Sequence, residues 1–139
     1  MFNIYIDGIY DLFHAGHVNT LKNIKNMRDD VYLIVGLIND KDATNYKRQP
    51  VINETNRYIM LDSCKYVDEV ICDAPLYTTE EFMNDHDIDL VVHSFNNQND
   101  ENNQKKFFKV PIEMGKYQTI QYSYIESTTS IINRIKKID

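Results

Sequence analysis

Two short, nearly continuous apolar runs, Val31-Tyr32-Leu33-Ile34-Val35 and Ile88-Asp89-Leu90-Val91-Val92, constrain this chain more than any other feature. A strand with one wet face alternates apolar and polar residues, whereas a strand covered on both faces does not need to. Runs of this kind point to a parallel sheet sandwiched between helices. The rest of the chain agrees: Phe2, Ile4 and Ile6 alternate as a first strand, and Val18, Leu21, Ile24 and Met27 recur at helical spacing. The pattern predicts strands at 3–7, 31–36, 69–72, 89–93 and 118–122. Between and after them it predicts helices at 16–27, 54–64 and 79–86, a short one near 105–114, and a last one at 128–137. Such alternation implies right-handed crossovers and a doubly wound α/β fold, a parallel five-stranded sheet with helices on both faces. At 139 residues the expectation is one domain, 1–139, around one core.

Two segments break the alternation. Residues 40–52, with Lys41, Lys47, Arg48 and Pro50 but little apolar periodicity, read as a mobile basic loop. Residues 94–104, carrying Asn96, Asn97, Asn99, Asn102 and Asn103, read as flexible or disordered.

The chemistry is concentrated where the first strand hands over to the first helix, in Asp7-Gly8-Ile9-Tyr10-Asp11-Leu12-Phe13-His14-Ala15-Gly16-His17. A helix N-terminus presents unpaired N–H groups and partial positive charge, so it stabilises an anion such as a phosphate. His14 and His17 add donors that are expected to become positive at modest cost. A bare His-x-x-His pattern also fits surface histidines. A metal site fits less well, since His86, His93, Cys64 and Cys72 add no ligand spacing. Ser127-Thr128-Thr129 reads either as a simple N-cap or as a second phosphate-binding helix start.

The net charge of −6 argues against a nucleic-acid partner and against attraction to an anionic bilayer. No run approaches the roughly 20 apolar residues of a membrane span, and the N-terminus lacks a signal-peptide pattern, so a cytoplasmic chain is expected. Cys64 and Cys72 are then expected to be reduced and partly buried.

The opening signature, with its His-x-Gly-His core, resembles that of the cytidylyltransferase family, which activates phosphocholine, phosphoethanolamine or glycerol 3-phosphate. The likeness extends from about residue 3 to 135 and includes Tyr32-Leu33-Ile34-Val35-Gly36, Lys47 within Asn45-Tyr46-Lys47-Arg48-Gln49-Pro50-Val51, and Ser127-Thr128-Thr129 before Ile131-Ile132-Asn133-Arg134-Ile135. Glu54 to Tyr58 and Lys65-Tyr66-Val67-Asp68-Glu69-Val70 are similar to a segment that lies near the subunit contact in relatives.

The resemblance implies a Rossmann-like fold of nucleotidyltransferase type. It implies transfer of CMP from CTP to phosphoethanolamine or phosphocholine, with release of pyrophosphate and with Mg²⁺, in phospholipid or related CDP-alcohol synthesis by a homodimer. It implies catalytic roles for His14, His17 and Lys47, and nucleotide binding by Gly8, Ile9, His14, His17, His93, Ser127, Thr128 and Thr129. Asp7, Tyr10, Lys47 and Tyr77 would hold the second substrate. An acid among phosphates is unhelpful unless it faces a cation, so Asp7 favours an amino alcohol, with Tyr10 and Tyr77 as aromatic walls. Leu76 stands where choline-type relatives place a tryptophan, which favours the smaller phosphoethanolamine. Arg57 and Lys65 would neutralise a phosphate or pair on the surface with Glu54, Asp62 or Glu69.

Two departures matter. Ser94 and Phe95 replace an acidic pair, and Tyr122 replaces an arginine ahead of the Ser-Thr turn. Both fall on the side that would read cytosine and ribose. A catalytically weakened nucleotide-binding module on the same fold therefore stays open, as does a transferase using glycerol 3-phosphate or another nucleotide.

Overall fold

The computed structural model describes residues 1–95, 98–122 and 126–138. Asn96 and Asn97 of the asparagine-rich segment, and Ser123, Tyr124 and Ile125 ahead of the Ser-Thr turn, lie outside the described residues. Five strands, β1 (Phe2–Gly8), β2 (Val31–Leu37), β3 (Glu69–Ile71), β4 (Leu90–Phe95) and β5 (Tyr117–Gln121), form one sheet. They pair in the order β3-β2-β1-β4-β5, with every neighbouring pair parallel. The chain starts in the middle and builds outward first through β2 and β3, then through β4 and β5. A crevice therefore opens between the C-terminal ends of β1 and β4, where the order reverses.

The helices are α1 (Ala15–Lys25), α2 (Asp40–Tyr46), α3 (Glu54–Asp62), α4 (Glu80–Asp85), α5 (Gln98–Gln104), α6 (Lys109–Glu113) and α7 (Thr128–Lys136). A 3₁₀ turn, Lys105–Phe108, precedes α6 within the stretch expected to hold one short helix. One sheet face packs Ile4, Ile6, Leu33, Val35 and Val92 against Leu21 and Ile24 of α1 and Leu61 of α3. The other packs Tyr5, Ile34 and Val91 against Met83 of α4 and against Ile88, Phe107 and Phe108. Both faces are thus covered, which is the doubly wound α/β fold that the apolar runs require. Tyr5 shows why the alternation in β1 is incomplete: it points away from Ile4 and Ile6 yet is fully buried, because its face is roofed as well.

The structure corrects three expectations. The segment 40–52 is not all loop, since α2 occupies Asp40–Tyr46. Asn39 caps it by accepting the Asp42 N–H at 2.7 Å, and Asp40 and Asp42 complement the dipole of its first turn. Only Ala43 is buried in α2, so the helix has almost no apolar period to reveal it. The segment 94–104 likewise contains helix α5, in which no residue is buried, and β4 runs on to Phe95. Cys72 is exposed rather than partly buried, while Cys64 is half-buried, and both are free. On α3, Leu61 and Tyr58 face the core whereas Ile59 is 52% exposed. Tyr66 and Val67 pack on the first core.

Candidate active site

A cavity of about 240 Å³ opens at this crevice. Asp7, Gly8, Ile9 and Tyr10 enter it from the end of β1, His17 from α1, Lys47 from the segment after α2, His93 from β4, and Ser127, Thr128 and Thr129 from the start of α7. Residues distant in sequence therefore share one wall because each lies near or beyond the C-terminal end of a parallel strand.

The turn from β1 into α1 is unusual backbone. Tyr10 and Leu12 have φ of 55° and 51°, the left-handed region that side chains disfavour. Such strain persists only where surroundings over-determine it. Here the Asp11 carboxylate accepts the Leu12 N–H at 3.0 Å, and the Tyr10 ring packs so closely on Gly8 that a Cβ at Gly8 would lie 2.9 Å from it.

The turn ends in a reciprocal cap made of two imidazoles. His14 is the N-cap of α1; its Nδ1 accepts the Gly16 N–H at 3.0 Å, and His17 Nδ1 accepts the His14 N–H at 3.2 Å. A ring nitrogen that accepts carries no proton, so each neutral imidazole keeps its proton on Nε2. His14 Nε2 lies 3.3 Å from Thr128 Oγ1, and that hydroxyl donates to the Asp11 carbonyl at 3.0 Å, leaving a lone pair for the imidazole. The two rings stack at 3.8 Å between centroids, and the Phe13 ring lies parallel to that of His17 at 5.5 Å.

This corrects the expectation of histidines that charge easily. Burial, with help from His14 and Lys47, pushes His17 down to about 3. Burial also lowers His14, against the opposing charge of Glu126. Both are neutral donors at ordinary pH. His17 lines the cavity; His14 is not among the lining residues and faces Thr128.

Burial pushes the Asp7 carboxyl up to about 7, opposed by a hydrogen bond to its own backbone. A carboxylate so destabilised gains from any cation placed beside it. Tyr10 reaches the cavity with its ring, and burial holds its phenol well above the ordinary range. Tyr77 does not reach it: 55% exposed, it packs edge-on against Phe107 at 4.9 Å, and Leu76 takes the place at the wall. The sequence could not see this, because neighbouring residues in an irregular segment point to opposite sides. His93 lies against Phe108 at 4.8 Å, is lowered by burial, and keeps a buried Nε2 without a partner among the described residues.

Ser127 is the N-cap of α7, its hydroxyl accepting the Ser130 N–H at 3.1 Å. Ser94 and Tyr122 both reach the cavity wall. The Tyr122 hydroxyl donates to the Glu126 carbonyl at 3.0 Å and crowds Gly16, where no Cβ would fit. Arg57 is neither a surface ion-pair residue nor a cavity residue. It is 1% exposed and ties backbone carbonyls together. Tyr46, Asp100, Gln104 and Phe107 also line the cavity. Sequence reading gave none of them a role, because they come from the two segments that read as loop and from the turn beyond.

Among the described residues no three His, Cys, Asp or Glu side chains gather as a metal-ligand set. Mg²⁺ fits this donor set only as the companion of a polyphosphate, where phosphate oxygens and water supply most of its ligands and the protein one or two carboxylates.

The family model described as cytidylyltransferase-like matches residues 5–134. Choline-phosphate cytidylyltransferase A of Homo sapiens is 39% identical over 132 residues, covering 95% of this chain and 36% of that protein. Ethanolamine-phosphate cytidylyltransferase of Arabidopsis thaliana is 38% identical over 136 residues, covering 95% of this chain and 32% of that protein. The chain spans about a third of the length of these relatives. In fold, the lipopolysaccharide core biosynthesis protein from Thermoplasma volcanium GSS1 superposes with a TM-score of 0.66 at 23% identity, over 88% of this chain and 97% of that one.

Proposed function

The chain belongs to the cytidylyltransferase-like family, and from that membership we propose that it transfers CMP from CTP to a phosphorylated amino alcohol, phosphoethanolamine ahead of phosphocholine, releasing pyrophosphate. One observation carries the reading: a single cavity gathers the β1–α1 turn with His17, a lysine and a half-buried carboxylate whose charge is destabilised. The first two suit a nucleoside triphosphate. The third suits the ammonium of the other substrate.

In the reaction an oxygen of the alcohol's phosphate attacks the α-phosphorus of CTP in line, and the bond to the β-phosphate oxygen breaks as pyrophosphate leaves. Negative charge grows on the transferring phosphoryl group and the leaving group, so positioned donors supply most of the rate. His17 Nε2–H donates to this charge as a neutral imidazole, which needs no protonation step. His14 supports it through the stacked ring and through Thr128, with its own Nε2–H next in line when phosphates enter. Lys47 brings the ammonium that spans both substrates. Gly8 and Ile9 offer backbone at close approach, and Ser127, Thr128 and Thr129 offer hydroxyls and helix N–H groups to the β- and γ-phosphates. His93, with its unpartnered Nε2, is a further nucleotide contact. Mg²⁺, when bound with the triphosphate, would neutralise its charge. Asp7 and Tyr10 hold the amino end.

The same reading extends to assembly and place. Ile59, Met60 and Val51 are exposed apolar side chains on α3 and the segment before it, which supports a homodimer through that side. Two free thiols support a cytoplasmic setting. The test is pyrophosphate release across a matrix of nucleoside triphosphates and phosphorylated alcohols. The expected result is turnover with CTP and phosphoethanolamine above all other pairs. Triphosphate binding without turnover on any alcohol would overturn the enzyme reading in favour of a nucleotide-binding module.

A further inference from the structure

We infer that Asp11 and Arg57 are positioning residues, which fasten the segment carrying Lys47 to the phosphate turn and so set where its ammonium stands. The inference rests on the role proposed for Lys47. Apolar contact reaches only the start of that segment, where Ala43 is buried with Ile38 and Ala74 and Tyr46 packs edge-on against Phe107 at 5.5 Å, while Lys47, Arg48 and Gln49 are exposed. What holds the part beyond Tyr46 is polar. The Arg57 guanidinium donates to Ile52 O at 2.9 Å, to Ile9 O at 2.6 Å and Ile38 O at 2.9 Å, and to the Asp40 carboxylate at 2.6 Å. Asp11, 5% exposed, accepts the N–H groups of Val51 and Ile52, both at 2.8 Å, besides that of Leu12.

The peptide groups of Ile52 are therefore gripped from both sides, its N–H by Asp11 and its carbonyl by Arg57. At the other end, Asp40 and Glu54 exchange backbone-to-carboxylate bonds of 3.0 and 3.2 Å. The Val51–Ile52 end of the stretch that bears Lys47 is thus tied directly to Asp11, and its Asp40 end reaches Ile9 through Arg57. Removing one partner of a buried ion pair leaves the other uncompensated, so the variant that tests this one must keep the charge. Three carbonyls and a carboxylate around one plane match the guanidinium fork, which a lysine cannot reproduce. Two successive N–H groups on one carboxylate match an acceptor-only side chain, whereas an amide would turn its NH₂ against one of them.

The test is a set of cycles on the whole chain, with CTP and phosphoethanolamine as substrates: Asp11→Asn and Arg57→Lys, each alone and each combined with Lys47→Ala. Misplacing a reacting group by an ångström costs on the order of a hundredfold, so each single variant is expected to lower kcat by about 30- to 100-fold with KM for CTP within about threefold. In the Lys47→Ala background neither should cost more than about twofold, because the group they place is gone. Losses that multiply in the double variants would overturn the inference, as would KM effects at full kcat. Should a variant not fold, the wild type decides. Its Val51 and Ile52 amide protons are expected to exchange at least about a hundredfold more slowly than that of exposed Gln49, and equal rates would overturn the clamp. A wild type without transferase activity would defeat the proposed function alone, since the exchange rates still judge the clamp.

Discussion

The two sides of the cavity are built to different standards. On the side of the β1–α1 turn, buried Asp11 and Arg57, the reciprocal histidine cap and two residues at positive φ leave the backbone almost no freedom. On the side of β4 stands α5, which buries no residue, with Ser94 on the same stretch of wall. Donors that act on a short-lived charge must be fixed beforehand, since moving them during the reaction would consume what they contribute. A surface that only holds a base can be looser. Under the proposed function the first side is suited to catalysis and the second to selectivity.

The largest effects should come from breaking the rigid side. Replacing His17 by alanine is expected to lower turnover by at least about a hundredfold, as for other preorganised donors, with far-UV circular dichroism unchanged. Because burial keeps this imidazole neutral, its contribution should not vary between about pH 6 and pH 8. A rate that rises with His17 protonation in that range would show that it acts as a cation. Lys47→Ala should cost about as much, and Lys47→Arg should not restore it fully, since a planar guanidinium places its charge differently from a compact ammonium. Full activity in both variants would reduce Lys47 to an ordinary surface lysine.

The same contrast explains what the sequence discloses. Val31–Val35 and Ile88–Val92 specify a sheet roofed on both faces because burial is written into residue type. The β1–α1 turn is legible because a strand, a helix start and two imidazoles meet within a few residues. The helices α2 and α5 are not legible: one buries a single alanine and the other nothing, so neither writes an apolar period into the sequence. The neutral state of His17 also escapes, since it depends on burial among Tyr10, Phe13 and His14. Arg57 reads as a charged residue on a helix, and only its place among three carbonyls shows it to be internal. Tyr77 and Leu76 illustrate the remaining limit, that orientation in an irregular segment is set by the partner and not by the residue.

Asp7 joins the two sides and should show an intermediate effect. Its carboxyl stands at 3.8 when unfolded and is pushed up to about 7 by burial. Between those values the folded chain binds more protons, so this residue's contribution to stability is full below the lower value and is lost as pH rises through the higher one. Asp7→Asn is therefore expected to raise the melting temperature at about pH 8, where the wild type carries a poorly solvated charge, and to change it little at about pH 4. The same variant should weaken phosphoethanolamine binding by about tenfold or more while leaving CTP binding within about twofold, as expected when one cation partner is lost. Wild-type affinity for the amine should rise with pH across about 7 as Asp7 ionises. Unchanged amine affinity in Asp7→Asn would place the head group elsewhere.

The smallest difference is expected on the loose side, among the bases themselves. The resemblance implies an acidic pair and an arginine where this chain has Ser94, Phe95 and Tyr122, so under the proposed function these positions lack the groups that would pair with cytosine and ribose. The Tyr122 hydroxyl is spent on the Glu126 carbonyl, beside Gly16. Affinity should then come from the triphosphate, which meets the turn, Lys47 and the start of α7 whatever base it carries. Calorimetry is expected to find CTP, UTP and ATP within about tenfold of one another, a spread below roughly 1.4 kcal/mol. CTP binding far more tightly than ATP would instead mean that backbone groups near β4 or side chains of α5 read the base. Selectivity would then belong to a side of the cavity more firmly built than its lack of buried residues suggests, and the contrast between the two sides would fail.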